Sequence, residues 1–584
     1  MLKRFFKRLA IFIALLGALL FSIPFIVTLD DYRPILQQQL SQSLGRHVLI
    51  GDLIPQAMPL PTLTATKVTI LGTAEQPGEL FVETMKASLD PLALFNGRVV
   101  IRTIHLDGVG TNQRFIDNLI RGKSIKKGPR AEQHQSQETA LTIHEISGSN
   151  VMLRTHDQTR LGPYRFTLFL GKQYKLKELY ISRMDGTLRA NIRPADHNSM
   201  ALQVSADRWK MPVGPAFVFD RLKLQATLHN GSAELSSVEI EGYGGTLTTQ
   251  GRLSWRNGWQ YIGQVKTAAM QMYPPLLLCD VDTVKGRFYS DLNITLRGKS
   301  ISQLFSNPEL QGPFRITEGV VTKSASNHVL LTFDQLSGDG HLVDATLKTD
   351  NTVLKTAGGT IHGTTQLSWK KYWDIRGRVE ASEIDSESFL AGFIDNKVVS
   401  GLFFATSEFH LSERDQQALL ERPYLSGHFR IINGKIYKAD LEKASTTLSN
   451  EGSHGGETPF QDLTGNARLE NNHITITDLD ITSDSMNAAG DININPQDEL
   501  EGEIVVALRK TASIISAPLK VSGTIDDPSL RLSNDAIIGG AIGTSILGPG
   551  VGTAVGMKVG RIIKKIGAAL SSGGEAKADL IPEK

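Results

Sequence analysis

Few residues in this chain have the types and spacing that catalysis or metal binding requires. Asp478, Asp480 and Asp484 are close enough in sequence to suggest calcium ligands, but the segment lacks the glycine and the terminal glutamate of a calcium-binding hand motif. The 14 histidines are scattered, and the chain has no zinc-protease, nucleophile-elbow, phosphate-loop or dinucleotide-binding motif. We therefore predict no catalytic residue, no metal site and no cofactor, and we expect the protein not to be an enzyme.

The chemistry that remains is recognition of lipid by a basic amphipathic segment near the C-terminus. Residues 551–570 repeat with a helical period that separates an apolar face from a basic face, a pattern typical of helices that lie in a membrane interface. The apolar face carries Val555, Val559, Ile562, Ile563 and Ile566, and the basic face carries Lys558, Arg561, Lys564 and Lys565. We interpret residues 533–584 as a Gly-rich helical tail that associates with a membrane or, alternatively, caps the end of the main body.

Composition limits the remaining functional classes. The 584 residues carry a formal net charge of +2, which provides no overall field to attract nucleic acid. The single cysteine, Cys279, excludes an internal disulfide framework and a cysteine-based zinc cluster. We therefore expect a folded protein that binds no nucleic acid.

The N-terminus has the pattern of a membrane anchor. Residues 1–8 form a basic stub, and residues 9–29 are an uncharged apolar run of about 20 residues, or about 30 Å as a helix, which matches the hydrocarbon thickness of a bilayer. The positive-inside rule then predicts a single-pass protein of the inner membrane with a cytoplasmic N-terminus and a periplasmic bulk. A cleavable signal peptide is the alternative, but no small-residue cleavage site follows the run. A short helix over residues 31–44 is predicted to follow the anchor.

Strand signals dominate from about residue 62 to residue 532. Short runs of alternating apolar and polar residues are separated by turn residues, and Asn433-Gly434 and Asn471-Asn472 are predicted hairpin turns because asparagine and glycine tolerate positive φ. The polar stretch 121–140 is predicted to be a mobile loop. The predicted fold is mainly β: a transmembrane helix, then an elongated, curled antiparallel sheet of repeated hairpin units, then a C-terminal amphipathic helix. Since few helices are available to cover the apolar face, the sheet forms either an open groove or a string of closed sandwiches or barrels.

The chain contains an internal repeat. Residues 244–265 and 358–379 are identical at nine of 22 positions at a constant offset of 114 residues, and each copy includes two tryptophans. The similarity extends outward, so residues 217–330 and 331–445 are predicted to be two β-repeat units of one design. Residues 30–216 then form an N-terminal β-region, and residues 446–532 form a C-terminal β-unit.

Both ends of the chain resemble the AsmA-like family of bacterial envelope proteins. The segments that carry the resemblance are LDDYRP (29–34) and LGRHVLIG (44–51) after the anchor, and LSG (425–427), INGKI (432–436) and VSGTIDDP (521–528) near the C-terminus. The resemblance implies a taco-shaped β-groove that is anchored in the inner membrane, reaches across the periplasm and serves outer-membrane lipid homeostasis. It supplies no catalytic residues.

The resemblance and the strand pattern together predict that phospholipid moves along an apolar groove, in which each buried methylene contributes about 0.8 kcal/mol. Candidate groove-lining residues are apolar positions that share a face: Phe314, Ile316, Phe429, Ile431, Ile474 and Ile476. The predicted partners are phospholipid, the inner membrane and, at the far end, the outer membrane or an outer-membrane protein. The alternative is a structural or assembly factor for outer-membrane proteins that pairs strands at a sheet edge and carries no lipid.

Overall fold

The computed structural model describes residues 33–533 with internal gaps. The gaps are residues 45, 57–60, 73–77, 91–99, 113, 116–142, 155–159, 172–174, 197–198, 212–215, 278–280, 324–327, 415–417, 420, 448–452 and 510–514. The predicted anchor, the predicted loop at 121–140 and the predicted tail beyond residue 533 lie outside the described residues. Of the helices that are described, none has the length and apolar character needed to cross a bilayer.

The described residues form 28 strands of one sheet, which confirms the predicted mainly-β class. The strands are β1 (Val48–Leu49), β2 (Leu53–Gln56), β3 (Thr62–Ile70), β4 (Leu80–Leu89), β5 (Ile101–Asn112), β6 (Glu145–Arg154), β7 (Arg160–Leu170), β8 (Leu176–Arg183), β9 (Leu188–Pro194), β10 (Met200–Lys210), β11 (Val218–His229), β12 (Ser232–Gly242), β13 (Gly245–Ser254), β14 (Trp259–Gln271), β15 (Val284–Gly298), β16 (Glu309–Thr322), β17 (Val329–Val343), β18 (Thr346–Thr356), β19 (Gly359–Ser368), β20 (Trp373–Asp385), β21 (Val399–Glu413), β22 (Tyr424–Tyr437), β23 (Glu457–Glu470), β24 (His473–Thr482), β25 (Met486–Ile494), β26 (Leu500–Leu508), β27 (Ile515–Gly523) and β28 (Pro528–Leu532). The helices are α1 (Arg33–Leu44), α2 (Tyr273–Leu277), α3 (Ser386–Leu390) and α4 (Leu441–Thr446).

From β2 to β13 and from β16 to β28, strands that follow each other in sequence pair in antiparallel fashion with one exception, and β1 pairs with β3. Strands β5 and β6 are parallel, with His105 opposite Ser147 and Asp107 opposite Ser149. A parallel pair needs a crossover connection of a dozen or more residues, and the long polar segment between these strands supplies that length. The expectation of a wholly antiparallel sheet is therefore wrong at this one pair.

The two predicted hairpin turns have different outcomes. Asn471 and Asn472 form the turn between β23 and β24 with φ values of 51° and 60°, which confirms the prediction. Asn433, with φ of 53°, instead lies inside β22, and Gly434 pairs with Phe460 of β23. The prediction of a turn there is wrong because one positive φ can also be accommodated as a local irregularity within a continuing strand.

The two predicted repeat units contain the same order of elements. The first holds β11 to β16 with the short helix α2 after its fourth strand, and the second holds β17 to β22 with α3 in the equivalent place. Strand β17 begins at Val329, two residues before the predicted boundary. The internal repeat is thus a repeat of six strands and one short helix.

The chain divides into two compact units, which are described separately. Unit 1 comprises residues 1–266 and 294–306, and unit 2 comprises residues 267–293 and 307–584. In unit 1, β1 to β5 enclose a small core that includes Val48, Val68 and Val82, and Leu40 of α1 packs against it. Arg33 Nη1 donates a hydrogen bond to Gly51 O at 2.8 Å, which holds the start of α1 on the sheet.

Two further small cores lie in unit 1. Ala206, Leu222 and Val238 are buried between β10, β11 and β12, and Trp209 and Leu235 pack against them. Tyr261, Leu296 and Leu304 are buried together, with Trp259 and Phe305 against them. Each core occupies only a short stretch of sheet.

The C-terminal part of unit 2 has the largest core among the described residues. Its members come mainly from β22 to β28 and include Ile481, Met486 and Leu519, and α4 contributes Leu441 and Ala444. The sheet folds back here, because the Ser453 amide donates to Leu530 O at 2.7 Å and the Leu530 amide donates to Ser453 O at 3.1 Å. This part of the sheet is therefore filled by the protein's own side chains.

Candidate functional site

Strands β16 to β21 of unit 2 have two kinds of face, with local register shifts in the pairs β17–β18, β18–β19 and β20–β21. On β19 and β20, Ile361, Leu367, Ile375 and Val379 point to one side, which we call the apolar face, and are only half-buried. The residues between them, such as Arg378, are exposed on the opposite side, the outer face. Because side chains alternate along a strand, this pattern places one continuous apolar face on the six strands.

Ion pairs and hydrogen bonds cover the outer face. Arg378 pairs with Glu408 across β20 and β21, and His410 Nε2 lies 2.7 Å from Asp374 Oδ2. Farther along, Arg430 Nε donates to Asp462 Oδ1 at 2.9 Å, and this hydrogen bond raises the pKa of the arginine. These pairs are largely exposed, so each contributes at most about 1 kcal/mol, but together they mark the outer face as the one in contact with water.

Strand register arranges the apolar face into rows that run across the strands. The first row, called the leucine row, consists of residues that pair successively from β16 to β21: Leu310, Leu342, Leu347, Leu367, Ile375 and Leu411. All six are aliphatic and half-buried. They form a ridge that crosses six strands, or about 24 Å at the usual strand spacing.

A second ridge, called the isoleucine row, lies toward the other ends of the strands. It consists of Ile316, Leu336, Leu354, Ile361, Ala381 and Ala405, and it continues to Phe429 on β22. On β16 the two ridges are six residues apart, at Leu310 and Ile316, which corresponds to about 20 Å. No residue of either ridge is charged.

Between the two ridges the residues are mostly small, and we call this strip the trough. Its two rows are Gly312, Gly340, Thr349, Thr365 and Gly377, and then Gly338, Thr352, Gly363, Val379, Ser407 and Gly427. The rings of Phe314 and Phe409 also belong to these rows, but each lies close to a glycine: a Cβ on Gly340 would be 3.5 Å from Phe314, and one on Gly377 would be 2.8 Å from Phe409. Both rings therefore rest near the sheet surface.

Among the described residues, the apolar face is outside the protein cores on β16 to β20, whereas on β21 Val399 and Phe403 pack against the C-terminal core. None of the four buried clusters includes a residue of β16 to β20. Some residues are buried one by one, such as Ile316 at 7% exposure, but the leucine row remains open to solvent in part. Two aliphatic ridges around a strip of small residues can accept an elongated apolar ligand without rearrangement of the sheet.

Short helix α3 lies at one end of this face. The carboxylate of Asp385 caps it by accepting a hydrogen bond from the Ser388 amide at 2.8 Å. The rings of Phe389 and Phe393 are 5.7 Å apart, and Phe393 is 55% exposed. The turn that follows the helix therefore presents an exposed aromatic side chain, Phe393, in the connection between β20 and β21.

The N-terminal part of unit 1 provides the link to known proteins. Residues 1–113 match the model of the AsmA family. This N-terminal region is AsmA-like. The match spans α1 and β1 to β5 with their small core, and it ends before the connection to the parallel strand β6. No curated protein and no solved structure matches the chain.

The candidate lining residues occupy three kinds of position. Phe314 lies in the trough, while Ile316 and Phe429 belong to the isoleucine row. Ile474 and Ile476 continue the trough rows onto β24, where Ile476 packs against the C-terminal core. Ile431 is 4% exposed inside that core, so its side chain packs against other protein side chains.

Sequence reasoning missed the leucine row and the small residues of the trough. Apolar and polar residues alternate along each of these strands in the sequence, so Leu347 or Ile375 could have been assigned to an apolar face. What the sequence does not show is that these residues are direct cross-strand partners, because that depends on the register of each hairpin.

The described part of the chain brings few polar groups together. No three His, Cys, Asp or Glu side chains there are arranged to hold a metal ion. Asp478, the first of the three carboxylates considered as calcium ligands, accepts a hydrogen bond from Asn466 Nδ2 at 3.2 Å, and its amide donates to Asp491 Oδ1 at 3.0 Å. These bonds join β23, β24 and β25 on the outer face.

Proposed function

We propose that this AsmA-like protein carries phospholipid between the inner membrane and the outer membrane, or a protein of the outer membrane. In this proposal the acyl chains lie in the trough of β16 to β21 and the head group remains in water. The sheet curls into a groove around the lipid, and the reaction is transfer without covalent chemistry. The observation that supports the proposal best is the trough itself, with its two aliphatic ridges and no core cluster over it.

The energetics favour a ligand with long apolar chains. Burial of each methylene contributes about 0.8 kcal/mol, so a chain that spans the six strands gains several kcal/mol without any specific polar contact. The repeated Gly and Thr positions make successive parts of the trough similar, so the free energy changes little as a chain slides. The charged outer face remains in water and keeps the protein soluble on that side.

A substitution that fills the trough tests the proposal. Gly340 lacks a positive φ, and a Cβ there would meet only Phe314 and Leu347, at 3.5 and 3.7 Å, which are ordinary contact distances. Gly340→Ile therefore projects a branched side chain into the trough without a backbone clash. It should displace about three methylenes of lipid, or roughly 2 kcal/mol, and lower lipid binding about 30-fold.

The matched control is Thr364→Ile, because Thr364 is exposed on the outer face of β19, two strands away from Gly340 in the same sheet. The measurement is phospholipid that co-purifies with the full chain, quantified by mass spectrometry, together with transfer of labelled phospholipid between vesicles. We expect both to fall for Gly340→Ile and to persist for Thr364→Ile. Equal lipid content in both variants, or a wild-type protein that purifies without phospholipid, would contradict the proposal and favour the assembly-factor alternative.

A further inference from the structure

The turn between β19 and β20 places two tryptophans at the border of the apolar face. Leu367 and Ile375 are direct partners in the leucine row, and Trp369 and Trp373 lie two residues beyond them toward the turn. The two rings are stacked, with centroids 6.0 Å apart and planes inclined by 27°. The tryptophan pair thus continues the apolar face to its edge.

The same turn carries exposed cations. Lys370, Lys371 and Tyr372 are all exposed, Tyr372 by 51%, and Trp369 is 38% exposed. Within the described part of the chain, neither lysine forms an ion pair or a hydrogen bond. Two unpaired ammonium groups therefore lie beside the tryptophan pair, and the tryptophan pair lies next to the aliphatic side chains of the leucine row.

Acidic side chains near the turn limit the reach of the positive electrostatic field from its two lysines. Glu413 pairs with Trp373 across β20 and β21, and Asp344 belongs to the neighbouring turn, where Ala345 O accepts a hydrogen bond from the Trp369 amide at 3.1 Å. Asp374 is already engaged by His410. The attraction of Lys370 and Lys371 for an anion is therefore local to the tip of the turn.

The first copy of the repeat has the same tryptophan pair in a different state. The rings of Trp255 and Trp259 are 5.8 Å apart, and the Trp255 amide donates to Gly231 O at 3.1 Å, as the Trp369 amide does to Ala345 O. Leu304 and Phe305 of the same unit pack into the cluster that contains Trp259. Arg256 Nε donates a hydrogen bond to Asn230 O at 2.9 Å, so the guanidinium group of this turn already binds a main-chain carbonyl group.

The two copies together indicate what the second turn can accept. In the first copy the chain's own apolar side chains pack with the tryptophan pair, and its own carbonyl group satisfies the cation. In the second copy the aromatic surface and both cations are open. A ligand that is apolar next to the tryptophans and anionic next to the lysines fits this arrangement.

We propose that the turn at residues 369–373 binds the glycerol and phosphate of a phospholipid whose acyl chains lie on the apolar face. Tryptophan and tyrosine favour the boundary between apolar and aqueous surroundings, and lysine ammonium groups bind phosphate oxygens. This site rests on the proposed function, because it needs a lipid in the trough, and it adds recognition of the head group. It makes the turn selective for lipids that carry a phosphate.

Photo-crosslinking in the full chain, in its native membrane, tests the site. A photoreactive phenylalanine analogue replaces Tyr372 at the turn, Leu354 in the isoleucine row or His362 on the outer face, and adducts are identified by mass. We expect phospholipid adducts at residues 372 and 354 and none at residue 362. Lys370→Glu combined with Lys371→Glu should lower the adduct at residue 372 about tenfold, the loss of one to two charge-assisted hydrogen bonds, while the adduct at residue 354 persists.

The matched control is Lys348→Glu with Lys355→Glu, because both lysines are exposed on the outer face of β18. This control should change neither adduct. An adduct at residue 354 with none at residue 372, or an adduct at residue 372 that survives the double charge reversal, overturns the head-group site and leaves the proposed function standing. The absence of lipid at both positions overturns the proposed function itself.

Discussion

At the scale of single residues, the recurrent arrangement is an aromatic ring that rests over a glycine on a neighbouring strand. Phe333 lies over Gly319, Phe429 over Gly465, and Phe460 over Gly434, in addition to the two rings of the trough. The missing Cβ allows each ring to lie close to the backbone, where it protects the strand without projecting far from the sheet. The positions of the phenylalanines in the sequence therefore do not indicate which part of the apolar face has room for a ligand.

Asp107 supports the parallel pair of strands through a small polar cluster. Ser149 Oγ donates a hydrogen bond to Asp107 Oδ1, and Asn150 Nδ2 donates another at 3.0 Å. The hydrogen bond from Ser149 is the main reason that the pKa of Asp107 lies below its usual value of 3.8. The cluster joins β5 to β6 where both strands have a positive φ, at Gly108 and Asn150.

A pH dependence follows from this cluster. Because the folded pKa is depressed, the carboxylate stabilises the pair at every pH above its unfolded value near 3.8, and this contribution is lost as the pH falls through the folded value. The group is only half-buried and accessible to solvent, so we expect a contribution of about a few tenths of a kcal/mol. The protection factors of the β5 and β6 amides, which correct for the intrinsic pH dependence of exchange, should fall below pH 5 more in the wild type than in Asp107→Asn. Identical acid sensitivity in the two proteins would contradict this account.

At the scale of secondary-structure elements, α4 is the piece that completes the C-terminal core. Its N-terminus is capped by Asp440, whose Oδ1 accepts a hydrogen bond from the Lys443 amide at 2.9 Å. Leu441 and Ala444 are each 2% exposed among side chains from β23 to β28. The helix is only six residues long, so packing rather than helical propensity holds it in place.

We predict that Leu441→Ala destabilises this core by roughly 2 to 5 kcal/mol, the range for removal of a buried leucine side chain. Hydrogen exchange should accelerate in β26 to β28 and remain unchanged in β16 to β20, whose residues belong to no core cluster. Lys443→Ala is the control, since that side chain is exposed on the same helix and its amide still reaches Asp440. Uniform acceleration across β16 to β28 would show instead that the trough and the core unfold together.

At the scale of the whole molecule, the proposed role depends on segments at both ends of the chain. The AsmA family match begins at residue 1 and so includes the predicted anchor at residues 9–29. The basic residues of the predicted tail, from Lys558 to Lys565, are placed by sequence alone as a membrane-associating helix. Attachment to the inner membrane by the first segment remains a prediction.

We predict that the full chain stays in the inner-membrane fraction through alkaline extraction, and that deletion of residues 2–29 abolishes this resistance. The physical reason is that only a spanning apolar segment resists extraction, whereas an interfacial helix is held mainly by reversible contacts. The intact mass of the membrane-bound protein distinguishes an anchor from a signal peptide. A mass that lacks the first 29 or so residues would show cleavage and contradict the anchor.

Much of the fold is readable from local sequence. The alternation on β19 and β20 and the turn at Asn471 and Asn472 need only neighbouring residues, because side chains alternate along any strand and asparagine tolerates positive φ. The failure at Asn433 has the same origin, since a local signal for positive φ does not distinguish a turn from an irregularity within a strand.

The sequence by itself determined that the chain is mainly β, that it contains an internal repeat, that each strand has an apolar and a polar side, and that its N-terminal region is AsmA-like. The tertiary structure alone decided which residues meet. It aligned Leu310 with Leu342 and Leu347 as one ridge, packed Ile431 into a core, brought β28 back to Ser453, and left one tryptophan pair open while filling the other. The physical reason is that register and strand return are set by hydrogen bonds between residues distant in sequence, and a shift of one residue would exchange every side chain between the two faces.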